Sequence, residues 1–181
     1  QLTLRDFLTH FIAFREEVVA RRTAFELRKA RERAHVLCGL AVAVSNVDEV
    51  VATIRSSRDA AEARARLMER RWPAAEIAPF IRLIDDPTHT INEDGTYNLS
   101  EVQARAILDL RLQRLTQLGV QEVTDELEEL AGKITDYLDI LRSRERIMAI
   151  IAGELRQVRE DFAVPRRTVI EDWSGDMEDE D

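Results

Sequence analysis

Cysteine, proline and glycine are scarce in this chain of 181 residues, which contains one cysteine, four prolines and six glycines. The single cysteine, Cys38, lies within an apolar stretch, so a disulfide framework is excluded and a buried, inert thiol is expected. The sequence shows neither a signal peptide nor an apolar run long enough to span a membrane. Because it begins at Gln1 rather than at a methionine, we expect a soluble piece of a longer cytoplasmic protein.

A surplus of positive charge, which would favour nucleic-acid binding, is also lacking, since the net charge is −9. Residues 171–181 hold seven acidic side chains and no basic one, so that only −2 remains for residues 1–170. Residues 1–35 hold eight Lys or Arg against five Asp or Glu. The acidic end has little apolar mass and is predicted to be an unstructured linker. The net charge therefore excludes few partners.

The first 38 residues contain no glycine or proline, which favours one long helix. Apolar residues recur there at nearly the three-four spacing of a coiled coil, and the predicted seam consists of Leu4, Phe7, Phe11, Phe14, Val18 and Phe25. Arg21 and Arg22 stand where the next seam residue is due, so the seam is imperfect. A narrow apolar stripe flanked by charged residues is typical of a two-helix coiled coil.

A second and more regular heptad pattern lies between residues 120 and 141. Its members are Val120, Val123, Leu127, Leu130, Ile134, Tyr137 and Leu141. After a restart predicted at Ser143, the stripe continues as Ile147, Ile151, Leu155, Val158 and Phe162. Two long stripes that enclose a compact segment predict an all-α fold, in which a long antiparallel coiled-coil arm carries a small helical globular head. This pairing would place Phe11 near Leu155.

The segment from Tyr97 to Thr116 carries the strongest helix signals of the enclosed part. Ser100 followed by Gln103 forms a capping box, in which each side chain satisfies a backbone N–H at the start of a helix. Apolar and charged residues alternate from Leu108 to Leu112, which favours a strand, but the abundance of Ala, Leu, Arg and Gln favours a helix. We predict a helix that is buried on several sides.

Three stretches resemble one known family. The sequence YNLSEVQARAILDLRLQRLT (Tyr97–Thr116) resembles a motif of the A subunits of bacterial DNA gyrases. Phe14–Arg55 resembles the same family without a gap, and Pro165–Asp172 resembles the end of that family's arm. The A subunit of topoisomerase IV is the close relative, and Leu27–Leu37 and Ile107–Gln113 are more similar to gyrase.

The resemblance implies the arm and the lower dimerisation head of a gyrase A subunit. Two heads would meet on a twofold axis and close the exit gate through which a transported DNA duplex leaves during ATP-dependent supercoiling. The implied division is 1–35 for the outgoing arm helix, 36–118 for the head, 119–164 for the returning helices and 165–181 for an acidic linker toward a further C-terminal domain. The implied partners are a second copy of the chain, the B subunit of gyrase and double-stranded DNA, without a membrane.

No catalytic activity is expected of this segment by itself. The family cleaves DNA through a tyrosine that follows an arginine in a winged-helix domain, whereas Tyr97 follows Thr96 and Tyr137 follows Asp136. The parent topoisomerase would bind Mg²⁺ and ATP elsewhere, so no cofactor is expected here.

A metal site is not predicted either. His10, His35 and His89 are too scattered along the sequence for a shared set of ligands. The segment Thr90–Glu101 matches several EF-hand positions, but Thr90 occupies the position that needs the first carboxylate. Turn chemistry explains that segment better than calcium binding does.

Two sets of candidate site residues remain. The candidates for the dimer interface are Ile107, Leu108, Arg111 and Leu115, with Arg111 expected either near the twofold axis or paired with an acidic neighbour. A basic stripe on the first helix consists of Arg15, Arg22, Lys29 and Arg33. This stripe is either a solvated flank paired with interleaved glutamates or a face for non-specific, salt-sensitive contact with DNA. A coiled-coil scaffold unrelated to DNA is the alternative function.

Overall fold

The computed structural model describes residues 2–110 and 119–170. Within these ranges the helices are α1 (Leu4–Ser45), α2 (Val47–Arg55), α3 (Ala60–Glu69), α4 (Ala78–Ile84), α5 (Glu101–Asp109), α6 (Val120–Arg142) and α7 (Arg144–Phe162). A 3₁₀ turn spans Ala75–Ile77, and the two-residue strands β1 (Trp72–Pro73) and β2 (Thr96–Tyr97) pair antiparallel. The predicted all-α class is confirmed.

The helix α1 is 42 residues long and begins at a capping box, in which the Thr3 hydroxyl accepts from the Asp6 N–H. At 1.5 Å per residue it extends about 63 Å. Its last turns are buried on most sides, where it enters the core around Trp72 and Leu67. There the Cys38 side chain is fully buried, and burial raises the pKa of its thiol to about 12, as expected for an inert cysteine.

The returning helix α6 packs antiparallel against α1. Arg33 of α1 pairs with Glu126, whereas Glu16, which lies earlier in α1, pairs with Arg144, which lies later in the chain. The returning chain therefore runs in the direction opposite to α1. We call α1 up to residue 35, together with α6, the arm, and the elements from residue 36 to residue 110 the head. The predicted antiparallel arm is confirmed.

The seam that α1 buries differs from the predicted one. The buried residues follow the spacing of a coiled coil, but on a neighbouring face: Val19, Thr23, Leu27, Ala30, Ala34 and Leu37. The phenylalanines of the predicted seam, Phe7, Phe11, Phe14 and Phe25, are exposed. The prediction was wrong because it followed the largest apolar side chains, whereas the helices pack closely through smaller ones.

The predicted α6 seam is confirmed from Val123 to Leu141, whereas its first member, Val120, is exposed. The predicted continuation into α7 is not confirmed. Val123, Leu127 and Ile134 are buried, and Ser143 ends α6 and caps α7 with its side chain. Glu154 pairs with Arg15 although Arg144 already pairs with the adjacent Glu16. A straight helix advances about 15 Å over ten residues, so α7 is inclined to α1 and leaves the register of α6.

As a result, only Ile151 of the α7 stripe is buried, while Leu155, Val158 and Phe162 are exposed. The predicted continuation of the coiled coil through Phe162 was therefore wrong. Among the described residues, the large exposed apolar side chains are concentrated near the two ends of the sequence.

The helix predicted from Ser100 toward Thr116 is shorter than expected. α5 ends at Asp109, and Leu110 has an extended backbone with φ −73° and ψ 133°. This end falls inside the alternating pattern that starts at Leu108. Residues 111–116 of the predicted helix lie outside the described residues.

No single helix in the described ranges is long and apolar enough to cross a membrane; α1 and α2 meet those criteria only together, as a pair bent by 91°.

Candidate functional site

A buried polar junction joins α5 to α1. Gln103 has no exposed surface, and its Oε1 accepts from the Ser100 N–H at 2.9 Å and from the Tyr97 hydroxyl at 3.1 Å. Its Nε2 donates to the backbone carbonyl of His35 at 2.7 Å. The predicted capping box is confirmed, and its glutamine also fixes α5 to α1. Since an unpaired buried polar group is costly, these bonds specify how the two helices meet.

Gly39 allows the close approach of α1 and α5 at this junction. A Cβ atom at this position would lie 2.6 Å from Cβ and 2.7 Å from Cγ of Gln103. Such distances are far inside van der Waals contact, so only a residue without a side chain fits. The role of this glycine was not predicted, because its position inside a long apolar stretch was its only signal in the sequence.

The predicted dimer-interface residues differ in how far they are buried and in whether the structure describes them. Ile107 is fully buried within its own protomer, whereas Leu108 is half-buried at the edge of the core. Arg111 and Leu115 lie outside the described residues. The described part of the head exposes one large apolar side chain, Val102, so that part shows no large apolar surface. The dimer role of these positions stays a prediction.

The basic stripe of α1 is paired with carboxylates. Arg15 and Arg22 both donate to Glu154, at 2.5 Å each. Lys29 pairs with Glu32, and Arg33 makes a two-pronged contact with Glu126 at 2.8 and 3.1 Å. These pairs satisfy the stripe within the chain, which favours the solvated flank over a face for DNA.

Acid should weaken the contact between α7 and α1 through Glu154. Hydrogen bonds from Arg22 and Arg15 hold the pKa of this carboxyl below its ordinary value of 4.5. A carboxyl with a lowered folded-state pKa stabilises the fold above its unfolded-state pKa, and this stabilisation is lost as the pH falls through the folded-state value. In urea titrations at pH 7 and pH 3.5, Glu154→Gln should therefore lose less stability on acidification than the wild type. The difference should not exceed about 1 kcal/mol because solvent screens the pair. Equal losses would contradict this role of Glu154.

Two of the histidines meet in the folded chain, contrary to the prediction that they are too scattered. The rings of His35 and His89 are T-shaped, with centroids 5.4 Å apart. His89 Nδ1 lies 2.9 Å from Asp86 Oδ2, and His35 Nε2 lies 2.7 Å from Ser100 Oγ. The prediction failed because sequence distance says nothing about the loop that folds His89 onto α1.

Their surroundings set the charge states of these groups. Burial lowers the pKa of His35, and the neighbouring His89 lowers it further. Hydrogen bonds from Thr88 and His89 hold the pKa of the Asp86 carboxyl well below its usual range. At neutral pH the cluster therefore contains a neutral His35 ring and a negative carboxylate.

The segment compared with a calcium loop forms a turn. Gly95 has a positive φ of 77°, and the Asp94 carboxylate accepts from the N–H and hydroxyl of Thr96. Glu101 is engaged by Arg64 and Arg105. Turn bonds and ion pairs thus engage Asp94 and Glu101 of this segment.

Taken together, the described residues define a helical arm-and-head protein, in which ion pairs and the Gln103 junction join one helix to another. The family model for the A subunits of DNA gyrase and topoisomerase IV matches residues 1–156. The chain belongs to this family.

Individual relatives agree with the family model. The chain is 50% identical over 177 residues to the DNA gyrase A subunit of Granulibacter bethesdensis, covering 98% of this chain and 19% of that protein. It is 45% identical over 180 residues to the DNA gyrase A subunit of Rickettsia conorii, covering 99% of this chain and 20% of the relative. It is 44% identical over 185 residues to the DNA gyrase A subunit of Haemophilus influenzae, covering 98% of this chain and 21% of that protein. The chain thus spans about a fifth of the length of the curated relatives it matches.

Proposed function

We propose that this chain is the arm and the exit-gate dimerisation head of a gyrase A subunit. The observation that carries the proposal is the match to DNA gyrase A subunits along nearly the whole chain, in a fold that holds a compact head at the far end of an arm. The corresponding part of topoisomerase IV is the second candidate, because the matching family model covers both proteins. Membership of this family argues against an unrelated scaffold.

A gate of this kind has to hold a cut DNA complex together and still open. The head is suited to this because the fully buried Gln103 junction and the close contact at Gly39 hold α5 against α1. A stiff head can separate from its partner as a unit. The contact between two identical heads would be isologous and free of covalent links, so it can reform after each opening.

Exposed apolar side chains on α1 and α7 fit attachment to a larger body. Phe7 and Phe14 on α1 and Phe162 at the end of α7 are exposed by 60% or more of their surface. Relatives of this chain are about five times longer. We propose that other parts of the longer protein cover these side chains, since folded proteins rarely leave large apolar surfaces uncovered.

The catalytic steps belong to other parts of the proposed parent. Residues beyond this chain would cleave DNA, bind ATP and Mg²⁺, and contact the B subunit of gyrase. The parent protein would work in the cytoplasm. By itself the chain should bind DNA only weakly, because Arg15, Arg22, Lys29 and Arg33 are each paired with a carboxylate.

A solution mass tests the proposal. Light scattering at tens of micromolar should give twice the mass of the 20.8 kDa chain. A mass that stays monomeric over that concentration range would count against the gate.

A further inference from the structure

We propose that His35, Asp86 and His89 form a binding site for a divalent transition-metal ion, and that zinc is the ion that fits it best. The three side chains each offer one donor atom, and these atoms all lie within 4.8 Å of one another. Imidazole nitrogen and carboxylate oxygen are ordinary zinc ligands. This site is independent of the proposed gate function.

Two elements of the fold bring the ligands together. His35 lies on α1 at the point where the arm enters the head. α4 ends at Ile84 and is capped by Asp85, which has a left-handed backbone with φ 57°, and the loop that follows holds Asp86 and His89. Among the described residues, Asp85 is the one non-glycine residue with a positive φ, so the loop begins with an uncommon backbone conformation.

The surrounding hydrogen bonds orient the ligands as in protein metal sites. Ser100 Oγ contacts Nε2 of His35, and Thr88 contacts Oδ1 of Asp86 at 2.6 Å, which leaves the other donor atom of each group for an ion. Such outer contacts usually orient a ligating side chain. Donor atoms around tetrahedral zinc are roughly 3.3 Å apart, since each lies about 2.0 Å from the ion. The three donor atoms lie within 4.8 Å of one another, so side-chain rotations that close them by at most about 1.5 Å would complete the geometry.

A cavity of about 740 Å³ lies beside the cluster, and His35, Asp86 and His89 are among the residues that line it. The cavity leaves room for water at the remaining coordination position, so three protein ligands are sufficient.

Direct zinc titration of the full 181-residue chain tests the site. We expect one Zn²⁺ per chain, an affinity that falls at least tenfold in His89→Gln and in His35→Gln, and no change in His10→Gln. His10 is the matched control because it is exposed on the arm. Cobalt should give the visible spectrum of a low-coordinate site in the wild type and not in His89→Gln, and excess Mg²⁺ should not compete, since it prefers oxygen ligands.

Circular dichroism and thermal melting without metal identify any variant that does not fold. His89→Gln changes a loop residue, so it tests whether the site binds zinc even if His35→Gln perturbs α1. Zinc should raise the melting temperature of the wild type and leave that of His89→Gln unchanged. The proposal is overturned if no saturable zinc binding occurs, if His89→Gln binds as tightly as the wild type, or if His10→Gln loses the ion.

Discussion

Replacing Ile107 by alanine is expected to lower the free energy of unfolding by about 2–5 kcal/mol, because the side chain is fully buried and leaves a cavity. Ile107 lies on α5, in the same core cluster as Trp72 and Tyr97. The loss should appear in urea titrations of the chain. If the dimer forms through a neighbouring surface, the dissociation constant of the remaining folded protein should change little.

The adjacent Leu108 provides the matched comparison, because it is half-buried and has surface left for a partner. Leu108→Ala should cost less folding stability than Ile107→Ala and should weaken the dimer, as measured by sedimentation over a range of concentrations. Equal effects of the two substitutions on the dimer would show that dissociation follows the loss of folding. A dissociation constant unmoved by Leu108→Ala would place the interface elsewhere on the head.

Gly39→Ala is the second substitution with a large expected effect. The added Cβ would collide with Cβ and Cγ of Gln103, which is fully buried and bonded to His35, Ser100 and Tyr97. Either α5 moves away from α1 or the bonds of Gln103 break. We expect the free energy of unfolding to fall by about 1–3 kcal/mol, the usual cost of overpacking. Thermal and urea unfolding measure the change.

Two other glycines, on the returning helices, supply the control. Gly132 in α6 and Gly153 in α7 have no neighbouring atom within 4 Å of an added Cβ. Alanine at either position should stabilise the chain by up to about 1 kcal/mol, because alanine is the better helix former. Destabilisation by all three substitutions would mean that the contact with Gln103 is not the cause at Gly39.

The arm illustrates which parts of the fold could be predicted from the sequence. The α6 seam was found because Val123, Leu127 and Ile134 are large and regularly spaced. The α1 seam was placed on the wrong face because Thr23 and Ala30 carry little hydrophobic signal, although small side chains let two helices approach closely. Periodicity therefore revealed two long helices and their direction, but not which face of α1 is buried.

The sites show the same division between local and tertiary information. The capping pair Ser100 and Gln103 was predictable because its bonds are local. The contact of Gln103 with His35, and that of His35 with His89, depend on how the head folds. No spacing rule relates residues that only a loop brings together, so the histidine cluster could not be predicted from the sequence.

The most direct test of the proposed gate measures distances between the two protomers. Spin labels placed at Arg105, exposed on α5, and at His10, exposed on the arm, would be compared in a Cys38→Ala background that keeps its helical circular dichroism. These positions differ by roughly 40 Å along the arm, given 1.5 Å per helical residue. Dimerisation through the heads predicts a short distance between the two Arg105 labels and a much longer one between the two His10 labels. A short distance between the His10 labels with a long one at Arg105, or no coupling at either position, would contradict the gate.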